Sequence, residues 1–335
     1  MDNEIILTDS PTEQQVDEHK YLKKVFFRVG IGFLLLNIVT GVAQTAIFEL
    51  IASLSHSLLH DPFVYNAVSM LPIYLFGFPV LCMFTAKLPR ARAEKTALTL
   101  SSVVTIICIS FAAMSVGNQI SRIIRGVFDT LRDTPMQNPI TNMTSGARMI
   151  THILFLSVLA PIFEELMFRK YLCSRLLPFG ETVAIVASAA IFGLVHGNFF
   201  QLFYAFLMGL VLGYTYVKHG NILFNIAIHA LINLVFGSIP TLISDKLILF
   251  LENQTLDALL LALPFIAIAL LHSYYTSAFS VCGIAFLAMN RKKIRFAPLP
   301  APLETRPALK AMLCNVGVIL FFIYIICQYL LRIFS

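Results

Sequence analysis

Eight stretches of this chain carry no Asp, Glu, Lys or Arg: 29–48, 63–86, 97–121, 149–163, 182–217, 219–244, 258–290 and 311–331. A hydrocarbon core about 30 Å thick is crossed by about 20 apolar residues of helix, so each run is a candidate span. The run 182–217 is too long for one crossing. Gly197-Asn198 near its middle reads as a tight turn and divides it into helices over about 181–196 and 199–217. The run 258–290 reads as one tilted or kinked helix with Pro264 near its start. The expectation is an all-α, polytopic membrane protein with about 8–9 transmembrane helices. Only 13% of residues are charged and the mean hydropathy is +0.82. A soluble domain carries about a quarter charged residues. That deficit excludes a water-soluble globule, a disordered chain, a collagen and a small disulfide scaffold. The six cysteines form no CxxC pair and read as small apolar side chains.

Charge sets the orientation. With a cytoplasmic N-terminus and nine spans, 18 of the 24 Lys and Arg fall on the cytoplasmic side, as the positive-inside rule requires. The chain then divides into a polar cytoplasmic tail at 1–19, N-terminal transmembrane helices over 20–148, a core at 149–245 and C-terminal helices over 246–335. An extended, Pro-rich cytoplasmic linker is expected over 291–310. Within 119–148, the spacing of Ile120, Ile123, Ile124, Val127 and Leu131 predicts an amphipathic helix lying at the membrane interface. The halves show no internal repeat, and nothing suggests nucleic acid. The simple tail fits a bacterial plasma membrane.

The chemistry lies in the core. Glu164 and Glu165 are adjacent, and Arg169 follows, after fifteen residues without formal charge. An ionised group at bilayer depth costs at least about 2.5–3.5 kcal/mol, so two neighbouring carboxylates need compensation. Glu165 and Arg169, four residues apart in the favourable order, can pair on one helical face. Glu164 is turned about 100° away and is left free for general-base work. His196 closes the apolar segment Phe192-Gly-Leu-Val-His196, with Gly193 and Gly197 beside it to admit neighbouring backbones. His229 and Asn233 share a helical face, with Asn225 one turn earlier. Gly209 and Gly213 form a GxxxG of packing type. At 1.5 Å per residue, Glu164, His196, His229 and Asn233 lie roughly 16, 22, 12 and 18 Å from the cytoplasmic ends of their helices. Four polar groups from three helices thus share one slab near mid-membrane.

These three motifs, Glu164-Glu165-x-x-x-Arg169, Phe192-x-x-x-His196 and His229-x-x-x-Asn233, resemble those of the CPBP family. This family comprises the CAAX proteases and bacteriocin-processing membrane proteins, including type II CAAX prenyl endopeptidases. The resemblance covers about 150–245. It implies an intramembrane endopeptidase in which Glu164 activates a water that His196 helps to hold. His229 and Asn233 stabilise the oxyanion, and Glu165 and Arg169 support the site. It implies no cofactor. Its substrate would be a membrane-associated peptide or a prenylated or leader-bearing protein in the bilayer, reached from the cytoplasmic side or laterally between helices.

Two other readings share the same residues. Glu164, His196 and His229 offer ligands to a zinc ion with a bound water, although no HExxH is present. The buried cluster also suits a proton relay in a non-enzymatic transporter or immunity protein.

Overall fold

The apolar runs become helices, in the order in which they occur. The computed structural model describes residues 13–93, 96–132, 136, 149–253, 255–292, 294–297 and 306–334. Among these, seven helices are long and apolar enough to cross a membrane. They are α1 (Glu13–Leu54), α2 (Pro62–Thr85), α3 (Leu100–Asp129), α4 (Met149–Phe179), α7 (Ile222–Ser244), α8 (Leu256–Asn290) and α10 (Val316–Phe334). The run 182–217 folds as a hairpin of α5 (Glu181–Leu194, 14 residues) and α6 (Leu202–His219, 18 residues). At about 1.5 Å per residue α5 is roughly 21 Å long, short of a full crossing. A short helix α9 (Arg306–Leu313) precedes α10. The result is an all-α polytopic membrane protein, and among the described residues no strand occurs.

The hairpin turns where the sequence predicts. Gly197 adopts φ +62°, a left-handed conformation that costs other residues about 1–2 kcal/mol. Asn198 then organises the turn, donating to the His196 carbonyl (2.6 Å) and accepting from the Gln201 N–H (3.0 Å). The glycines behind it set how closely the hairpin packs. A Cβ on Gly209 would lie 2.9 Å from Ala189 Cα, and one on Gly193 would lie 2.8 Å from the Leu202 carbonyl oxygen.

The two ends of the bundle differ. At the end where α1 begins, Leu22, Val25, Phe26, Val29, Phe33 and Leu36 line one face of α1 at helical spacing. They pack with Phe168, Leu172 and Leu176 of α4, Ile185 of α5, and Phe321 and Ile325 of α10 into a closed apolar core. Glu181 and Lys218 form an ion pair there, and Glu181 also accepts from the Ala297 N–H. At the other end the helices splay around a cavity.

Two expectations change. Residues 119–129 are not a separate interfacial helix but the last turns of α3, which runs unbroken from Leu100 to Asp129. The two-faced pattern is real, but its apolar side faces outward, with Ile123 67% and Val127 56% exposed. Its polar side faces inward. Residues 133–135 and 137–148 lie outside the described residues. The polar tail 1–19 includes the first turns of α1, which starts at Glu13, and the apolar span begins at His19; residues 1–12 lie outside the described residues. The linker 291–310 is not extended throughout, because Arg306 opens α9. Pro307 stands in the first turn, where its missing N–H leaves no helical bond unmade. Residues 298–305 again lie outside the described residues.

Candidate active site

Two helices carry most of the site, and both contain wide turns of the i→i+5 kind. In α4 these are Ile153–Leu159 and Leu166–Cys173, which bracket the glutamates on Ala160–Glu165. In α7 the wide turn Leu234–Ser238 follows Asn233 directly. Such turns are uncommon and concentrate at functional sites. Pro161 explains part of this. In the wide register the Phe155 carbonyl receives the Ala160 N–H. The next carbonyl, Leu156, would look to Pro161, which has no N–H to give. Asn233 supplies the missing donor, its Nδ2 lying 2.9 Å from the Leu156 oxygen.

The adjacent glutamates sit in contrasting surroundings. Glu165 is fully buried. Its carboxylate faces the Arg169 Nε at 3.4 Å and accepts from His229 Nδ1 (3.0 Å) and Asn225 Nδ2 (3.1 Å). Asn225 also donates to the Leu212 carbonyl (2.8 Å). Arg169, equally buried, lays its guanidinium over the Phe192 ring, 4.6 Å from the centroid. Among the described residues its nitrogens have no hydrogen-bond partner, and Glu165 is its ionic partner. Glu164 instead keeps a 20% exposed side chain, with His229 Nε2 3.6 Å away.

Both histidines have one nitrogen assigned by their surroundings. His196 Nδ1 lies 2.7 Å from the Phe192 carbonyl, which only accepts, so Nδ1 donates and Nε2 remains an acceptor. His229 Nδ1 donates to the Glu165 carboxylate, and Nε2 is turned toward Glu164. Phe192 is the hub between them. Its ring meets His196 edge-on at 5.1 Å, His229 at 5.9 Å and Phe168 at 4.9 Å.

Glu164, His196, His229 and Asn233 all line one cavity of about 1070 Å³. The structure thus brings together all four residues expected at the centre, and places Glu165 and Arg169 directly behind them. Among the described residues no three His, Cys, Asp or Glu side chains stand close enough to share a metal ion.

Several residues of the site carry no motif. Tyr74 of α2 stacks on Phe163 (4.3 Å) and lines the cavity beside Glu164, opposite Tyr204 of α6. Nothing in the spacing of the sequence marks either tyrosine. Asn118, Ser121, Arg122 and Arg125 of α3 also line it. Their spacing of three, four and seven was readable as the polar face of α3.

Among the described residues, the cavity reaches the surface at one end of the bundle. The exposed residues in its wall are Arg122, Ser244, Ile248 and Arg332, all at the end of the bundle away from the start of α1. The opposite end is filled by the apolar core. A cytoplasmic N-terminus and access from the cytoplasm therefore do not go together. Counting residues along the helices located the slab, but not which side of it was open.

Residues 146–235 match the family model described as Rce1-like, Type II CAAX prenyl endopeptidase. All three motifs fall inside the matched stretch, so the resemblance they carry holds over this domain. The UPF0177 protein YbdJ of Lactococcus lactis subsp. lactis (strain IL1403) is 38% identical over 95 residues. That alignment covers 28% of this chain and 41% of YbdJ. No solved structure matches the chain.

Proposed function

From the match of residues 146–235 to a family of CAAX endopeptidases, we propose that this integral membrane protein is an intramembrane endopeptidase that hydrolyses a peptide bond with a glutamate-activated water. The observation that carries this reading is the division between the two glutamates. Glu165 is consumed by Arg169, His229 and Asn225, whereas Glu164 faces a cavity large enough for several residues of peptide.

Glu164 takes a proton from a water that also donates to His196 Nε2, and the hydroxide attacks the scissile carbonyl carbon. The carbonyl oxygen becomes an oxyanion. It receives hydrogen bonds from a proton on His229 Nε2 and from the second N–H of Asn233, whose first N–H is spent on Leu156. Glu165 balances the charge on His229 from the far side of the ring, the role of a carboxylate behind a catalytic histidine. Glu164 then passes its proton to the leaving amine as the C–N bond breaks. No step calls on a metal.

The test is cleavage by purified protein in nanodiscs against a panel of prenylated and leader-bearing peptides. Glu164→Gln should lower kcat by about 10²–10⁴, the share of a positioned general base, and chelation of zinc should leave the wild type active. Full activity in Glu164→Gln would remove the assignment. Proton-coupled solute uptake that is lost in the same variant would replace it with a transporter.

A further inference from the structure

The wall of the cavity has a strong sign. Arg122 and Arg125 of α3 and Arg332 of α10 line its outer part, whereas Glu164 at its floor is the single carboxylate among the described lining residues. Asp129, one turn beyond Arg125, interacts electrostatically with it and, outside the lining, accepts from the Met136 N–H (2.8 Å). Arg125 lays its guanidinium over Phe200, 3.9 Å from the centroid. The ring holds this cation in place without neutralising it.

The rest of the wall is polar as well. Thr40, Asn118, Ser121, Gln201 and Gln328 line the cavity, with Asn118 and Gln328 one helical turn deeper than Arg122 and Arg332.

Cations elsewhere fix which side that mouth faces. Lys23 and Lys24 on α1, Lys87 and Arg90 after α2, and Arg291 and Lys292 after α8 all lie at the closed end. The excess of Lys and Arg in short loops marks the cytoplasmic side, and the cavity opens at the other.

We infer that this site receives its substrate from the non-cytoplasmic face of the membrane, and that Arg122, Arg125 and Arg332 select a peptide segment bearing carboxylates. This rests on the endopeptidase reading for what becomes of the peptide, but not for the side or sign of its binding. A field of one sign in a low-dielectric cleft raises the local concentration of the opposite charge. The side-chain amides of Asn118, Gln201 and Gln328 then bond to the peptide's own carbonyls. A lipid phosphate offers the three arginines similar chemistry, so the experiment separates the two sources.

Sidedness is read by thiol labelling in a full-length background with all six cysteines replaced. Ser244→Cys at the mouth should react with a membrane-impermeant maleimide in intact spheroplasts, and Lys87→Cys at the closed end only after permeabilisation. The reverse pattern overturns the proposal, whether or not the protein cleaves anything. Selection is read by binding, on the Glu164→Gln protein in phosphatidylcholine nanodiscs. A fluorescent decapeptide rich in Glu should bind about tenfold more tightly than its Gln counterpart, a difference of one decade in Kd. Arg122→Gln, Arg125→Gln and Arg332→Gln together should erase the preference while leaving the thermal transition in place. Equal binding of the two peptides, or none, overturns the selection. Loss of the preference when phosphatidylglycerol replaces a third of the lipid, with the triple variant losing phosphatidylglycerol binding, assigns the arginines to lipid and overturns it also. Failure of the protease reading would show instead as intact binding and sidedness with no cleavage by wild type.

Discussion

Replacing Glu165 and replacing Glu164 should have opposite consequences, although the residues are neighbours. Glu165→Ala removes an ion pair to Arg169 and hydrogen bonds from His229 and Asn225 at 3.0 and 3.1 Å. It strands a guanidinium that is fully buried and has no hydrogen-bond partner of its own. Breaking one side of a buried pair costs about 3–5 kcal/mol, because the remaining charge is left uncompensated. Glu164→Gln keeps the shape, faces a cavity and disturbs one histidine contact at 3.6 Å, so its cost should be about 1 kcal/mol or less. The chain has no tryptophan, so unfolding is best followed by far-ultraviolet circular dichroism during titration of dodecyl-maltoside micelles with SDS. A double-mutant cycle with Arg169→Ala should return a coupling of about 1–3 kcal/mol, as expected for residues in direct contact. The reasoning fails if Glu165→Ala stays within about 1 kcal/mol of wild type, or if Glu164→Gln costs as much. In activity the order should reverse for the fraction that folds: Glu164→Gln should be folded and lose about 10²–10⁴ in kcat.

Other consequences follow from single contacts. Asn233→Ala should lower kcat by about 10²–10³, the usual loss for one oxyanion donor, with a stability loss near 1 kcal/mol for the bond to Leu156; steady-state kinetics and SDS titration read the two separately. Gly209→Leu should destabilise by about 1–3 kcal/mol through overpacking, since even a Cβ there lies 2.9 Å from Ala189 Cα and 3.3 Å from Phe192 Cδ1. Displaced Phe192 should also lower kcat, measured on the folded fraction. Gly197→Val should cost about 1–2 kcal/mol for its left-handed backbone and lower cleavage by shifting His196, whereas Gly197→Asn should retain most of both.

Most of what the sequence made legible concerned depth and pairing. Glu165 with Arg169 follows from a spacing of four, and the common slab of Glu164, His196, His229 and Asn233 follows from counting residues along helices. Asn225 was visible as part of a polar stripe, but its target was not, because the bond to Glu165 spans 60 positions. The tie between Asn233 and Leu156 needed two facts at once: a proline without an N–H and a turn wound one residue wider than usual. The first is written in the sequence. The second is a property of how α4 packs.

The segment after Asn118 shows why periodicity misleads in a membrane. For a soluble protein, an apolar stripe points inward and a polar stripe outward. By that habit, Ile120, Ile123, Ile124, Val127 and Leu131 place their helix at an interface with its cations in water. In a bilayer the solvent is itself apolar, so the stripe that faces out is the greasy one. Ile123 and Val127 are more than half exposed, while Ser121, Arg122 and Arg125, on the other face, line a cavity. The spacing specified two faces and left their assignment to the medium. With the polar face turned inward, the three-, four- and seven-residue spacing puts two arginines at the mouth of the site, and their charge favours a carboxylate-bearing substrate. A polar stripe near the end of a span that carries cations but few carboxylates is thus better read first as the lining of a water-filled port, and only then as a helix lying on the membrane surface.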